Sequence, residues 1–321
     1  MVMNKRNKYF QKFLTLFSTG VFAVLLACSE TATSPEMSDT SGQSHFLWKV
    51  SDENSSVWLL GSIHVADASF YPLAPKIDSA FSQASELAVE INTSDEYIAR
   101  EVQQLMKSRG TLSEGTLRDV LPPELWYSVD SLCAAWDLPV KMFETMRPWL
   151  AATYISSYAY TREGLNSQYG IDFVLMNRAK RNGKPIVSLE TAKDQIDAIA
   201  DTTESDSAGI CYLKSTMREI SEIKTLMKDM IRAWKTGDDV LLNRLLGEED
   251  VGDYTPSEQR FMAELNQRLL TKRNVKMADS VAAFLRDDRN VFVVVGVAHL
   301  AFDKDNVIEN LNKRGFVIER Y

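Results

Sequence analysis

The sequence is poor in the residues that would make its chemistry easy to place. Only three histidines (His45, His64, His299) and three cysteines (Cys28, Cys133, Cys211) occur among 321 residues. There is no Cys-x-x-Cys or zinc-ribbon spacing, which argues against a structural zinc module. There is no His-Glu-x-x-His signature, so no zincin rule applies. Positive charge is also scarce: 36 Lys+Arg stand against 44 Asp+Glu, a formal charge of −8. A surface of that sign repels phosphate backbones and anionic headgroups, so nucleic acid is not an expected partner. The remaining composition, 45% hydrophobic and 25% charged, excludes disordered, collagen-like and coiled-coil classes. It suits one large domain or two small ones.

The basic residues that do cluster lie at the start. Lys5, Arg6, Lys8 and Lys12 precede a mostly apolar stretch from Phe13 to Ala27. That stretch is short for a permanent span and fits a cleaved export signal. It ends Leu25-Leu26-Ala27-Cys28, which resembles the lipobox of bacterial lipoproteins. The resemblance implies cleavage before Cys28 and lipidation of its thiol. Ser29, rather than Asp, leans towards the outer membrane. Residues 1–27 are thus expected to be a signal peptide and 28–45 a flexible tether, since half of residues 29–44 are Ser or Thr and cannot repay ordering. The folded part is expected to span 46–321, on the periplasmic side of a membrane. Loss of the four basic residues takes the charge from −8 to −12. In an oxidising compartment Cys133 and Cys211 have two fates, a disulfide or two separately buried thiols, and both stay open.

From Phe46 the pattern is α/β. Phe46–Val50 and Val57–Leu60 flank a polar turn and read as a hairpin. Pro75 opens a helix through Ala84, and Glu86–Ile91 is a strand. Residues 94–165 read as helices punctuated by Pro122-Pro123, Pro139 and Pro148. Ile171–Arg181 is a helix stopped by Asn182-Gly183, Pro185–Leu189 a strand, and Thr191 a cap for the next helix. A long helical stretch is expected over about Ser207–Thr236, then two or three more helices over Val240–Leu285. Val291–Val295 is unbroken apolar sequence, the mark of a strand buried on both faces. A helix near Asn306–Arg314 and a strand Phe316–Arg320 close the chain. The expected fold is therefore α/β: a central mixed sheet from N- and C-terminal strands, with a large helical insertion.

Two of the three histidines share one context. Val57-Trp58-Leu59-Leu60-Gly61-Ser62-Ile63-His64 and Val293-Val294-Val295-Gly296-Val297-Ala298-His299 each run apolar strand, Gly, two residues, His. Gly allows a sharp turn, and the following His is expected in the crevice beyond the strand's C-terminal end. Glu90 and Glu190 end two further apolar strands. Neutral imidazole with carboxylate suits zinc, manganese, cobalt or iron with open positions, and a spare carboxylate serves as general base. His45, at the tether boundary, is expected to be uninvolved.

These segments also resemble the TraB/GumN (Tiki-like) proteins. The matching stretches are Leu60-Gly61-Ser62-Ile63-His64, Glu86-Leu87-Ala88-Val89-Glu90, Arg147-Pro148-Trp149, Tyr169-Gly170-Ile171-Asp172, Gly183-Lys184-Pro185, Leu189-Glu190-Thr191, Arg273-Asn274 and Gly296-Val297-Ala298-His299. The resemblance implies a fold related to erythromycin-esterase-like and ChaN-like proteins. It also implies metal-dependent protease chemistry using both Gly-x-x-His motifs and a Glu. On that basis His64, His299 and Glu90 are the metal ligands, with Mn, Co or Zn unresolved. Glu90 and Glu190 are the acid–base candidates, and Arg273 and Asn274 orient a carboxylate or an oxyanion. Asp172 reads instead as a helix-start residue favoured by the dipole. Two functions stay open: a lipid-anchored hydrolase, in particular a peptidase, or a lipoprotein that binds a peptide without cleaving it. A purely structural hydrogen-bond network among the four residues is a third reading.

Overall fold

The computed structural model describes residues 45–200, 205–247, 254–302 and 304–321. The expected signal peptide (1–27), the expected lipidation site Cys28 and all of the expected tether except His45 lie outside them. Among the described residues no helix is long and apolar enough to cross a membrane.

Six strands form one mixed sheet: β1 Leu47–Ser51, β2 Ser56–Ser62, β3 Glu86–Val89, β4 Ile186–Ser188, β5 Val291–Gly296 and β6 Val317–Arg320, in the order β4-β3-β5-β2-β1-β6. β4, β3, β5 and β2 run parallel. β1 is antiparallel to β2 and to β6. All six residues of β5 are buried, because it lies in the parallel set between β3 and β2 and is covered on both faces. Its Phe292 meets Phe81 edge-on with ring centroids 5.6 Å apart.

The helices start where local chemistry dictates. Proline occupies the first turn of α1 Pro75–Gln83, where a missing N–H costs nothing. Asp95 caps α2 Glu96–Gly110 by accepting from the Tyr97 and Ile98 amides. After the short α3 Leu117–Val120, prolines again open α4 Pro123–Ala135 and α5 Pro148–Arg162. α6 Ile171–Arg181 precedes β4, and a Thr191/Asp194 capping box starts α7 Ala192–Ile199. The helical stretch expected over Ser207–Thr236 consists of two helices, α8 Ser207–Glu219 and α9 Ile223–Thr236, joined by a 3₁₀ turn at Ile220–Glu222. α10 Asp239–Gly247 and α11 Pro256–Asn266 follow. α11 continues through a π turn, Gln267–Thr271, into α12 Lys272–Arg286. α13 Val297–Ala301 leaves β5 directly, and α14 Val307–Lys313 precedes β6.

Two hydrophobic cores dominate. One sandwiches the sheet between α1, α6, α9, α10 and α12. The other lies within the helical insertion, around Trp149, Ile155, Ile196 and Leu213. Cys133 and Cys211 both belong to the second core as buried thiols, and no disulfide joins them. Trp234 ties α9 to the sheet by donating its indole N–H to the Gly61 carbonyl at 2.7 Å.

Candidate functional site

Parallel strands end at one edge, and this sheet uses that edge four times. His64 lies two residues past β2, Glu90 directly after β3, Glu190 two residues past β4, and His299 in α13 after β5. Pairing carries past the strand ends, with the Glu190 amide donating to the Glu90 carbonyl at 3.0 Å. Segments 235 positions apart in the chain therefore deliver their imidazoles to one crevice, the place where open α/β sheets bind ligands.

His64 is fixed from α6. The Ile171 amide donates to the Ile63 carbonyl at 3.1 Å. Gly170 makes that approach possible, since a Cβ there would stand 2.3 Å from the His64 carbonyl oxygen. Asp172 then places Oδ1 3.0 Å from His64 Nδ1. A carboxylate only accepts, so Nδ1 carries a proton and Nε2 faces the crevice. Burial alone would lower the His64 pKa, but the Asp172 charge and hydrogen bond outweigh it and raise it to about 9. Asp172 is therefore more than a helix-start residue.

Glu90 is the centre of the cluster. Its Oε1 accepts from the Gly296 amide at 2.7 Å and lies 3.9 Å from His64 Nε2 and 3.7 Å from His299 Nε2. Its Oε2 accepts from Arg273 Nη2 at 2.6 Å and from Gln195 Nε2 at 3.3 Å. Burial opposes ionisation, yet the guanidinium, the imidazoles and the Gly296 amide hold the carboxyl well below the usual range. Arg273 also grips Glu190, with Nε 2.9 Å from Oε1 and Nη2 2.8 Å from Oε2, and donates Nη1 to the Leu269 carbonyl inside the π turn. Desolvation is again overcome, here by two carboxylates that raise the guanidinium pKa. With both oxygens turned to Arg273 and its side chain 1% exposed, Glu190 braces the cation and is poorly placed as a base.

Asn274 does not take the first of its two expected roles, orienting a carboxylate. It meets no carboxylate: Oδ1 lies 2.6 Å from His299 Nδ1, and Nδ2 donates to the Asp305 carbonyl at 3.1 Å. Asp305 adopts a left-handed backbone, φ 60°. The amide orientation makes His299 Nδ1 the protonated nitrogen and leaves the Nε2 lone pair towards Glu90. Burial, aided by the Arg273 charge, drives the His299 pKa down to about 3, so this ring is neutral.

The glycines of the two Gly-x-x-His motifs also act differently from expectation. Neither Gly61 nor Gly296 has a positive φ. What each supplies is space. A Cβ on Gly61 would lie 2.9 Å from Val297 Cα, and one on Gly296 would lie 3.1 Å from His64 Nε2 and 3.4 Å from Glu90 Oε1. Gly296→Ala is expected to leave the thermal midpoint within a few degrees while crowding the His64–Glu90 gap. Metal titration and thermal unfolding of that variant check this, and unchanged metal affinity would contradict it.

The donor types suit a borderline divalent ion. Two imidazoles have their Nδ1 atoms braced and Nε2 atoms turned to one carboxylate oxygen, as metal-bound histidines usually are. The spacing is looser than a closed site. Ligand atoms around an ion with ~2.1 Å bonds stand about 3.0–3.4 Å apart, against 3.9 and 3.7 Å here. Among the described residues no group of three or more His, Cys, Asp or Glu already forms a metal cage. The donor types therefore suit such an ion once the two gaps to Glu90 close by about 0.3–0.9 Å.

Beside His64 lies a cavity of about 20 Å³, bordered by Glu90, Thr93, Asp172, Met176 and Gln195. That volume holds one water or ion. A wider groove of about 580 Å³, around Asp52–Ser55 and Asp288–Asn290, lies at the opposite end of the strands and contains none of these residues. His45 is likewise remote, its amide bonded to the Tyr321 carbonyl. Sequence reasoning missed Gln195, the pairing of Asp172 with His64, and the Gly296 amide. Gln195 did carry a signal: it is the one polar member of the buried stripe Ala192, Gln195, Ile196, Ile199.

The molecule is thus an α/β protein with a buried His–Glu–Arg cluster at the carboxyl edge of its parallel strands. The chain belongs to the TraB/PrgY/gumN family, which it matches over residues 46–320. It is 25% identical over 262 residues to "Uncharacterized protein YbaP" of Escherichia coli (strain K12), covering 80% of this chain and 89% of that protein. The protein of the same name from Shigella flexneri matches to the same extent. No solved structure matches the chain.

Proposed function

We propose that this chain is a hydrolase, with a peptide as its expected substrate, working with one divalent metal ion held by His64, His299 and Glu90. In this reading it is exported and anchored to a membrane through lipidated Cys28. The observation that carries the reading is the convergence of two Nε2 atoms on one oxygen of Glu90. When bound, the ion would acidify a water or polarise a carbonyl. Asp172 and Asn274 fix the two ring tautomers. Arg273 and the Gly296 amide hold Glu90 ionised and immobile, and Glu190 anchors Arg273. His299 is fully buried whereas His64 and Asp172 are partly exposed, so substrate approaches from the α6 side.

The test uses the purified chain stripped with chelator and then supplied with Mn²⁺, Co²⁺ or Zn²⁺ against a panel of fluorogenic peptides. His64→Ala and His299→Ala are each expected to weaken metal binding by at least about 100-fold, more than loss of an outer partner costs, and to abolish metal-stimulated cleavage. Both variants cleaving like the parent would end this proposal. A metal-free alternative is favoured by one observation, the different partners of the two imidazoles: Asp172 on His64 and Asn274 on His299 leave a potential proton donor and a potential acceptor on either side of Glu90. Cleavage that resists chelation would select it, and tight peptide binding without cleavage would select a capture function.

A further inference from the structure

We propose that Gln195 positions the attacking water, an inference that rests on the hydrolytic reading of the site. Gln195 sits on α7, one turn after the Thr191 cap, and is more than nine-tenths buried. Its Nε2 donates to Glu90 Oε2 at 3.3 Å. Because a carboxylate offers no hydrogen, this bond fixes the amide with its carbonyl oxygen turned away from Glu90. That oxygen, Oε1, is buried and has no hydrogen-bond partner in the protein. A buried carbonyl of that kind is costly unless a ligand or water donates to it.

A place for such a donor borders the same residue. Gln195 borders the 20 Å³ cavity together with His64, Glu90, Thr93 and Asp172. The space accommodates one water, and its walls offer the several polar groups a bound water needs. A water donating one hydrogen to Gln195 Oε1 has its oxygen lone pairs left for attack. In hydrolysis that oxygen joins the acyl carbon, the bond to the leaving amine breaks, and the water's hydrogens end on the two products. No other co-reactant is required. Gln195 makes and breaks no bond, so it is a positioning residue.

Gln195→Met keeps the side-chain length and removes both polar groups, and Gln195→Asn keeps the amide on a shorter arm. On a fluorogenic peptide cleaved by the parent chain with Mn²⁺, Gln195→Met is expected to lower kcat by about 100-fold, as for other single orienting hydrogen bonds, with KM changed less than threefold. Gln195→Asn is expected to fall between parent and Gln195→Met, and it carries the test should Gln195→Met fail to fold. A high-resolution crystal structure of the parent should show a water within hydrogen-bond distance of Oε1, lost in Gln195→Met. Unchanged kcat, or a raised KM alone, overturns the inference while the hydrolase reading stands. A parent chain inactive on every peptide and metal removes that reading and the water's role with it.

Discussion

Replacing Arg273 with Met is expected to lower the unfolding free energy by about 3–5 kcal/mol at pH 7, because it strands two buried carboxylates, Glu90 and Glu190, side by side. The pH dependence identifies the cause. In the parent, the depressed Glu90 pKa contributes stability that is fully present above the unfolded value near 4.3 and is lost as pH falls through the folded value. Without the guanidinium, burial and the neighbouring Glu190 push the Glu90 carboxyl up, and it takes a proton well before the unfolded chain does. The deficit of the variant is therefore largest at neutral pH and shrinks as pH approaches 4. Urea unfolding of parent and variant at pH 7 and pH 5 measures it. Adding Glu190→Gln to Arg273→Met should recover part of the loss, since it removes one of the two stranded charges. A deficit below about 1 kcal/mol, or one independent of pH, would mean that Arg273 does not hold these acids in solution.

The sequence marked the strand ends because strand chemistry is local. An unbroken Val291–Val295 run cannot face water, so it had to be central, and two glycine-histidine motifs following such runs had to emerge at the carboxyl edge. What it hid was set by tertiary contact. Asp172 looked complete as a first-turn acid, and only the docking of α6 against Ile63 and His64 turns it to an imidazole. Arg273 and Asn274 are chain neighbours, so one motif suggested one role. Projecting about 100° apart on a helix, they serve different partners, the two glutamates and His299. The π turn before them has no sequence signature that the apolar spacing reveals. The glycines were legible as necessary, but the necessity is contact with Val297 and with the cluster itself, which no single strand pattern encodes.

The imidazole pair makes the second large prediction. In chelator-treated protein, His64 carries its proton up to about pH 9 while the unfolded chain releases it near 6.5. A raised folded pKa contributes stability that is fully present below 6.5 and is lost as pH rises to 9, so the parent should lose up to about 3 kcal/mol across that window. Asp172→Asn removes the charge that opposes burial, the His64 pKa falls, and the loss above pH 6.5 should vanish. Thermal or urea unfolding from pH 6 to 9.5 reads the slope, and the His64 ring resonances locate the titration directly. The same proton competes with a metal for Nε2, so apparent metal affinity should climb with pH up to about 9 in the parent. In Asp172→Asn that climb should end nearer neutrality, with weaker binding at its plateau because the brace is then a neutral acceptor and the ring a less basic ligand. A parent whose stability is flat between pH 6.5 and 9 would show that Asp172 does not hold His64 as an imidazolium, and the acid–base alternative would lose its donor.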